Sequence, residues 1–182
     1  MTSALTEQVD AVLQVLDAVL GPDLVAAYLF GSAVGGGLRP HSDIDLFAVS
    51  SRRLSEAAKR QLVAGLRPVS WRTLRPRDWR PVELTVVALA DVQPWRNPPR
   101  TDFQHGEWLR GQFDAGDLEP YEPDNPDLAV LIAQLRQSHV VLRGPAPDLV
   151  LDEVPWSEVE RAMRASVGVC SRMRKQILGT CS

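Results

Sequence analysis

The sequence predicts an α/β (α+β) fold, a sheet flanked by helices. Amphipathic helical stretches alternate with short, nearly continuous apolar runs, and Gly or Pro punctuates the joins. The composition agrees: 182 residues, 45% hydrophobic and 24% charged, make one globular unit or slightly more.

Residues Thr6 to Leu20 place Val9, Val12, Leu13, Leu16, Val19 and Leu20 at helical spacing, and Gly21-Pro22 ends that helix. Leu24 to Phe30 reads as a strand buried on both faces and stops at Gly31-Ser32. A second strand, Asp43 to Val49, follows Gly35-Gly36-Gly37 and Pro40, and Leu54 to Leu66 returns to a helical pattern. The Arg-, Trp- and Pro-rich stretch from Arg67 to Arg80 reads as an irregular crossover, and Val82 to Leu89 is the third clear strand. Pro94, Pro98 and Pro99 punctuate a linker, after which a helix is expected to begin between Arg100 and Trp108. Asn125 as N-cap and Pro126 at the first helical position open a helix with the stripe Leu128, Leu131, Ile132 and Leu135. Val140 to Leu142 suggests a fourth strand, and Trp156 to Val167 a final helix.

Charge and cysteine usage narrow the function classes. The 20 Lys+Arg against 23 Asp+Glu give a net charge of −3, which is not the balance of a nucleic-acid-coating protein. No apolar run approaches the roughly 18 residues needed to cross a bilayer, and Met1 to Leu20 lacks the pattern of a signal peptide, so a cytoplasmic protein is expected. All acidic residues lie at or before Glu160, whereas Arg161, Arg164, Arg172, Arg174 and Lys175 follow. Cys170 and Cys181 share that basic tail and are too few for a disulfide framework or a zinc site. His41, His105 and His139 have no triad partners, so nothing argues for a Ser-His-Asp hydrolase.

The chemistry concentrates on three carboxylates. Asp43 and Asp45 stand two apart on one strand, so they face the same way with Cα atoms about 7 Å apart. Two like charges beside a buried run call for a positive partner, and hard oxygen ligands suit Mg²⁺, with a pair of divalent ions answering the need. Upstream, the Gly31-Ser32 turn offers backbone N–H groups and a hydroxyl to an anionic phosphate chain. Glu83 interrupts the third apolar strand, and it joins the other two carboxylates if the second and third strands are neighbours. Together these features point to metal-dependent phosphate chemistry.

Tyr28-Leu29-Phe30-Gly31-Ser32-Ala33 followed by His41-Ser42-Asp43-Ile44-Asp45-Leu46 resembles the nucleotidyltransferase signature of Gly-Ser, a spacer, then Asp-x-Asp. The chain is closer still to the aminoglycoside 3''-adenylyltransferases, which modify streptomycin and spectinomycin. Val82-Glu83-Leu84-Thr85-Val86-Val87, Pro94-Trp95-Arg96, Gly106-Glu107-Trp108, Asp127-Leu128-Ala129-Val130-Leu131 and Val141-Leu142-Arg143-Gly144-Pro145 resemble words of that family, over about Leu24 to Ala165. The resemblance implies a polymerase-β-like mixed sheet flanked by helices, followed by the start of a helical domain. It divides the chain into a nucleotidyltransferase domain (1–95), a linker with the first helices of an incomplete C-terminal helical domain (96–165), and an atypical basic tail (166–182). It further implies that Gly31 and Ser32 bind the triphosphate of ATP, that Asp43 and Asp45 hold two Mg²⁺, that Glu83 is the general base, and that Trp108 lines the antibiotic pocket.

The expected partners are ATP and a small-molecule antibiotic, with no nucleic acid or membrane, and a complete protein of this kind is expected to be a monomer. Because family members continue into a helical domain that closes the cleft, the expected alternatives are a truncated, inactive remnant and a minimal nucleotidyltransferase acting on a protein partner. With one cleft wall encoded, weak or absent turnover is expected of this chain alone.

Overall fold

A computed structural model describes residues 3–35, 42–70 and 79–165. Helix α1 (Ser3–Leu20) leads into strand β1 (Leu24–Phe30), a single helical turn α2 (Ser32–Gly35), β2 (Ile44–Ser50) and α3 (Glu56–Leu66). Next come β3 (Val82–Ala88), a turn of helix α4 (Leu89–Val92), β4 (Phe103–His105) and α5 (Arg110–Asp114). The described residues end with α6 (Leu128–Gln137), β5 (Val140–Arg143), a turn of helix α7 (Pro147–Val150) and α8 (156–165).

Among the described residues the five strands lie in the order β4-β3-β2-β1-β5. β2 and β3 run parallel and every other pair antiparallel, so the sheet is mixed, as expected. The alternation of side chains along each strand builds two separate cores. Ala27 and Leu29 of β1, with Ile44, Leu46, Val82 and Leu84, pack under the apolar stripes of α1 and α3. Ala26, Tyr28, Phe30, Phe47, Val49 and Val87 pack on the other face against α6, α7 and α8. Burial of this kind contributes roughly 1.5–3 kcal/mol for each large side chain relative to exposure.

Local signals explain the element ends. Gly21 takes φ +51° just after α1, a conformation an L side chain disfavours, and so stops the helix. The Ser55 hydroxyl accepts from the Ala58 N–H and caps α3. An ion group holds α3 against the chain entering β4: the buried Lys59 pairs with the buried Asp102 and with the exposed Glu119, and Asp102 also accepts from the Leu54 N–H at 2.6 Å.

The helix expected to begin between Arg100 and Trp108 does so at Glu107, as a 3-10 turn (Glu107–Leu109) that runs into α5. Ahead of it Phe103, Gln104 and His105 form β4, which the sequence did not announce: the open edge of β3 needs hydrogen-bond partners, and these residues supply them opposite Val86, Thr85 and Leu84. One expectation is corrected. Asn125 does not stand next to the first residue of α6. It sits one turn earlier, where its carbonyl accepts from the Leu128 N–H at 3.1 Å, its side-chain oxygen accepts from the Asp127 N–H at 3.1 Å, and its amide donates to Thr101 at 2.9 Å. The readings of His41, Gly36-Gly37, Cys170, Cys181 and the 166–182 tail lie outside the described residues, as do residues 71–78 of the expected crossover and the last two residues of the expected final helix.

Candidate active site

β2 and β3 are neighbours, and their parallel register sets Asp45 directly opposite Glu83. Both side chains therefore leave the sheet on the same face, one strand spacing of about 4.8 Å apart. Asp43 immediately precedes β2, and a hydrogen bond joins its carboxylate to Glu83. The three carboxyls that the sequence singles out are thus brought together.

Their electrostatics follow from crowding. Burial, the hydrogen bond with Asp43 and the charges of Asp45 and Asp43 push Glu83 up to about 8. The shift favours the protonated form of Glu83, which can donate to Asp43. Asp45 is pushed up to about 6 by burial first and the Asp43 charge second, against a hydrogen bond from the Ser32 N–H that favours its ionised form. Among the described residues no three His, Cys, Asp or Glu side chains stand as a ready-made metal cage. An all-oxygen, anionic donor set of this kind fits a hard divalent cation such as Mg²⁺.

Gly31 makes the arrangement possible. It has φ +67°, the left-handed region that favours glycine, and a Cβ added there would fall 2.2 Å from Asp45 Oδ2. The turn from β1 into α2 therefore carries glycine because the Asp45 carboxylate occupies the space of a side chain. Ser32 follows at once, its N–H directed at Asp45 and its side chain exposed.

A cleft of about 570 Å³ opens over this face. Asp45, Glu83 and Gly31 form its floor, Gln104 and Trp108 one side, and Asp127, Val130, Leu131 and Gln134 of the α6 region the other. Met163 of α8 reaches its rim. Trp108 is no core aromatic: it is 53% exposed, and its indole lies against Gly106, where a Cβ would come within 2.3 Å of the ring. Sequence reasoning missed Gln104, Gln134 and Met163 as cleft residues. Gln104 was hidden because β4 was not foreseen. For Gln134 a signal existed, since 127, 130, 131 and 134 repeat at helical spacing beside the apolar stripe of α6.

The sheet topology and the clustered carboxylates define the fold of a nucleotidyltransferase, and residues 16–78 match the polymerase beta nucleotidyltransferase family. Along most of its length the chain is similar to particular adenylyltransferases. It is 38% identical over 156 residues to the spectinomycin 9-adenylyltransferase of Staphylococcus aureus, covering 85% of this chain and 59% of that protein. It is 39% identical over 160 residues to the aminoglycoside (3'') (9) adenylyltransferase of Klebsiella pneumoniae, covering 88% and 61%. Among solved structures, the spectinomycin adenyltransferase AAD(9) of Enterococcus faecalis, crystallised with ATP and spectinomycin, matches with a TM-score of 0.83 at 32% identity, over 88% of this chain and 65% of that one. The chain spans about three fifths of the length of the curated relatives it matches. No helix among the described residues is long and apolar enough to cross a membrane.

Proposed function

We propose that this chain is the catalytic portion of an adenylyltransferase that moves AMP from ATP to a hydroxyl of an aminoglycoside or aminocyclitol antibiotic of the streptomycin and spectinomycin type. The observation that carries the reading is the meeting of Asp43, Asp45 and Glu83 on one sheet face beneath the cleft. The similarity to enzymes named for that reaction supplies the acceptor class.

In this reading Asp43 and Asp45 hold two Mg²⁺, and Gly31 and Ser32 receive the triphosphate at the turn after β1. When bound, the cations would neutralise the triphosphate and offset the burial and carboxylate crowding that hold the Glu83 pKa up. Glu83 is the general base. Its carboxylate takes the proton of the acceptor hydroxyl, the oxygen forms a bond to the α-phosphorus, and the bond from that phosphorus to the bridging oxygen breaks. Pyrophosphate leaves with the electron pair. A positioned base of this kind contributes about 10²- to 10⁴-fold. Trp108 presents an exposed aromatic face to the acceptor, where rigid apolar area binds a sugar ring at low entropic cost.

The test is to incubate the purified chain with ATP, Mg²⁺ and streptomycin or spectinomycin, follow pyrophosphate, and weigh the antibiotic by mass spectrometry. The expected result is weak pyrophosphate release that needs both Mg²⁺ and an antibiotic, with AMP found on the antibiotic. Release of ADP and phosphate, or AMP appearing on the chain itself with no antibiotic product, would overturn the acceptor assignment.

A further inference from the structure

Beyond the carboxylates, one side-chain group ties the acceptor side of the cleft to the strand that carries Glu83. β4 ends at His105, opposite Leu84, so the peptide groups of Val82 that point to the same side run past its end. They are taken up by side chains instead. The Val82 N–H donates to the Ser70 hydroxyl at 3.1 Å, and the Val82 carbonyl meets His105 Nδ1 at 3.1 Å. Ser70 in turn donates to a carboxylate oxygen of Glu107. Arg110 holds that carboxylate from the other side, Nε to Oε2 and Nη2 to Oε1, both at 2.7 Å.

The flanking residues on both strands make this group more than a local ion pair. Val82 immediately precedes Glu83, and Pro81 accepts from the Ile44 N–H at 2.9 Å beside Asp43 and Asp45. Glu107 immediately precedes Trp108, whose ring already rests on Gly106. A rigid path of hydrogen bonds therefore runs from the Trp108 turn through Glu107 and Ser70 to the backbone beside Glu83. Its members are largely shielded: Ser70 and His105 are buried, and the Glu107 and Arg110 side chains are 16% and 17% exposed. A bidentate Arg–carboxylate pair fixes orientation as well as distance, and small misplacements of reacting groups are costly.

We infer that Glu107, acting through Ser70 and braced by Arg110, is a positioning residue that sets Trp108 at a fixed distance from Glu83. It touches neither substrate, and its effect reaches the reaction through the placement of the acceptor. The inference rests on the proposed acceptor pocket at Trp108 and deepens it.

Two variants test it. Ser70→Ala deletes only the hydroxyl, and Glu107→Gln keeps the shape and removes the charge that Arg110 grips. Both are expected to fold, checked by thermal unfolding, and to lower kcat/KM for the antibiotic by about tenfold or more. The loss should fall on the antibiotic terms, with KM for ATP within about twofold of the parent. In parallel, the anisotropy decay of Trp108, isolated as the difference from a Trp108→Phe chain, should show faster local motion in both variants. Unchanged Trp108 motion, or equal losses for ATP and antibiotic, would overturn the inference. If the parent chain transfers no AMP, the proposed function fails, and the anisotropy comparison still decides whether the path holds Trp108.

Discussion

On β2 and β3 the residues that alternate toward α1 and α3 are Ile44, Leu46, Ala48, Val82, Leu84 and Val86, all apolar and at most 1% exposed. The opposite face of the same strands begins with Asp45 and Glu83, continues with Phe47 and Thr85, and is wholly apolar only at Val49 and Val87. The difference arises from the two-residue period of a strand, which lets a single segment serve a dry core on one side and a charged cleft on the other. It also explains why three carboxyls are tolerated beside so much apolar surface. They sit at the start of the strands, where α6 and α8 leave the sheet uncovered and the cleft admits water or ligand.

The largest expected effect comes from exchanging adjacent residues that point to opposite faces. Glu83→Gln should reduce AMP transfer by about 10²- to 10⁴-fold while leaving nucleotide affinity nearly intact, because a base acts in the transition state. Its neighbour Leu84→Ala should cost about 2–5 kcal/mol of stability and leave the turnover of the folded fraction close to the parent's. Urea unfolding and pyrophosphate release, measured on both, would break the comparison if Leu84→Ala lost specific turnover as severely as Glu83→Gln.

A smaller effect concerns pH. Glu83 is raised from its ordinary 4.5 to about 8 and Asp45 from 3.8 to about 6. For both, the folded state binds protons that the unfolded chain has released. The stability tied to these protons is complete below the ordinary values and is lost as pH rises through the raised ones. With EDTA present, the unfolding midpoint should therefore fall between about pH 5 and pH 8. Glu83→Gln should flatten most of that slope, and Mg²⁺ should oppose it. A metal-free parent that grows more stable over this range would contradict the crowding of the three carboxyls.

Much of this contrast is legible in the sequence, and the rest depends on pairing. The runs from Leu24, Asp43 and Val82 announce buried strands, and carboxylates inside such runs are conspicuous because aspartate is disfavoured there. What no local pattern states is that β2 and β3 run parallel with Asp45 opposite Glu83, since register is set by contacts far apart in the chain. β4 is three residues long, too short to show a period, so Gln104 could not be placed. The need for glycine at 31 was only half visible. A tight turn was evident, while the carboxylate filling the space of its missing side chain belongs to a residue on the next strand. Nor does composition state that Trp108 is exposed, because exposure is a property of the turn that carries it.

The central claim is that the charged end of this sheet face is a divalent-cation site for a nucleotide. Titration calorimetry of ATP into the parent chain and into Asp45→Asn, each with and without Mg²⁺, tests it most directly. The expected result is binding by the parent that requires Mg²⁺ and that weakens at least about tenfold in the variant, as loss of a charged ligand demands. Equal ATP affinity in the two chains, or binding by the parent that is indifferent to Mg²⁺, would contradict the claim.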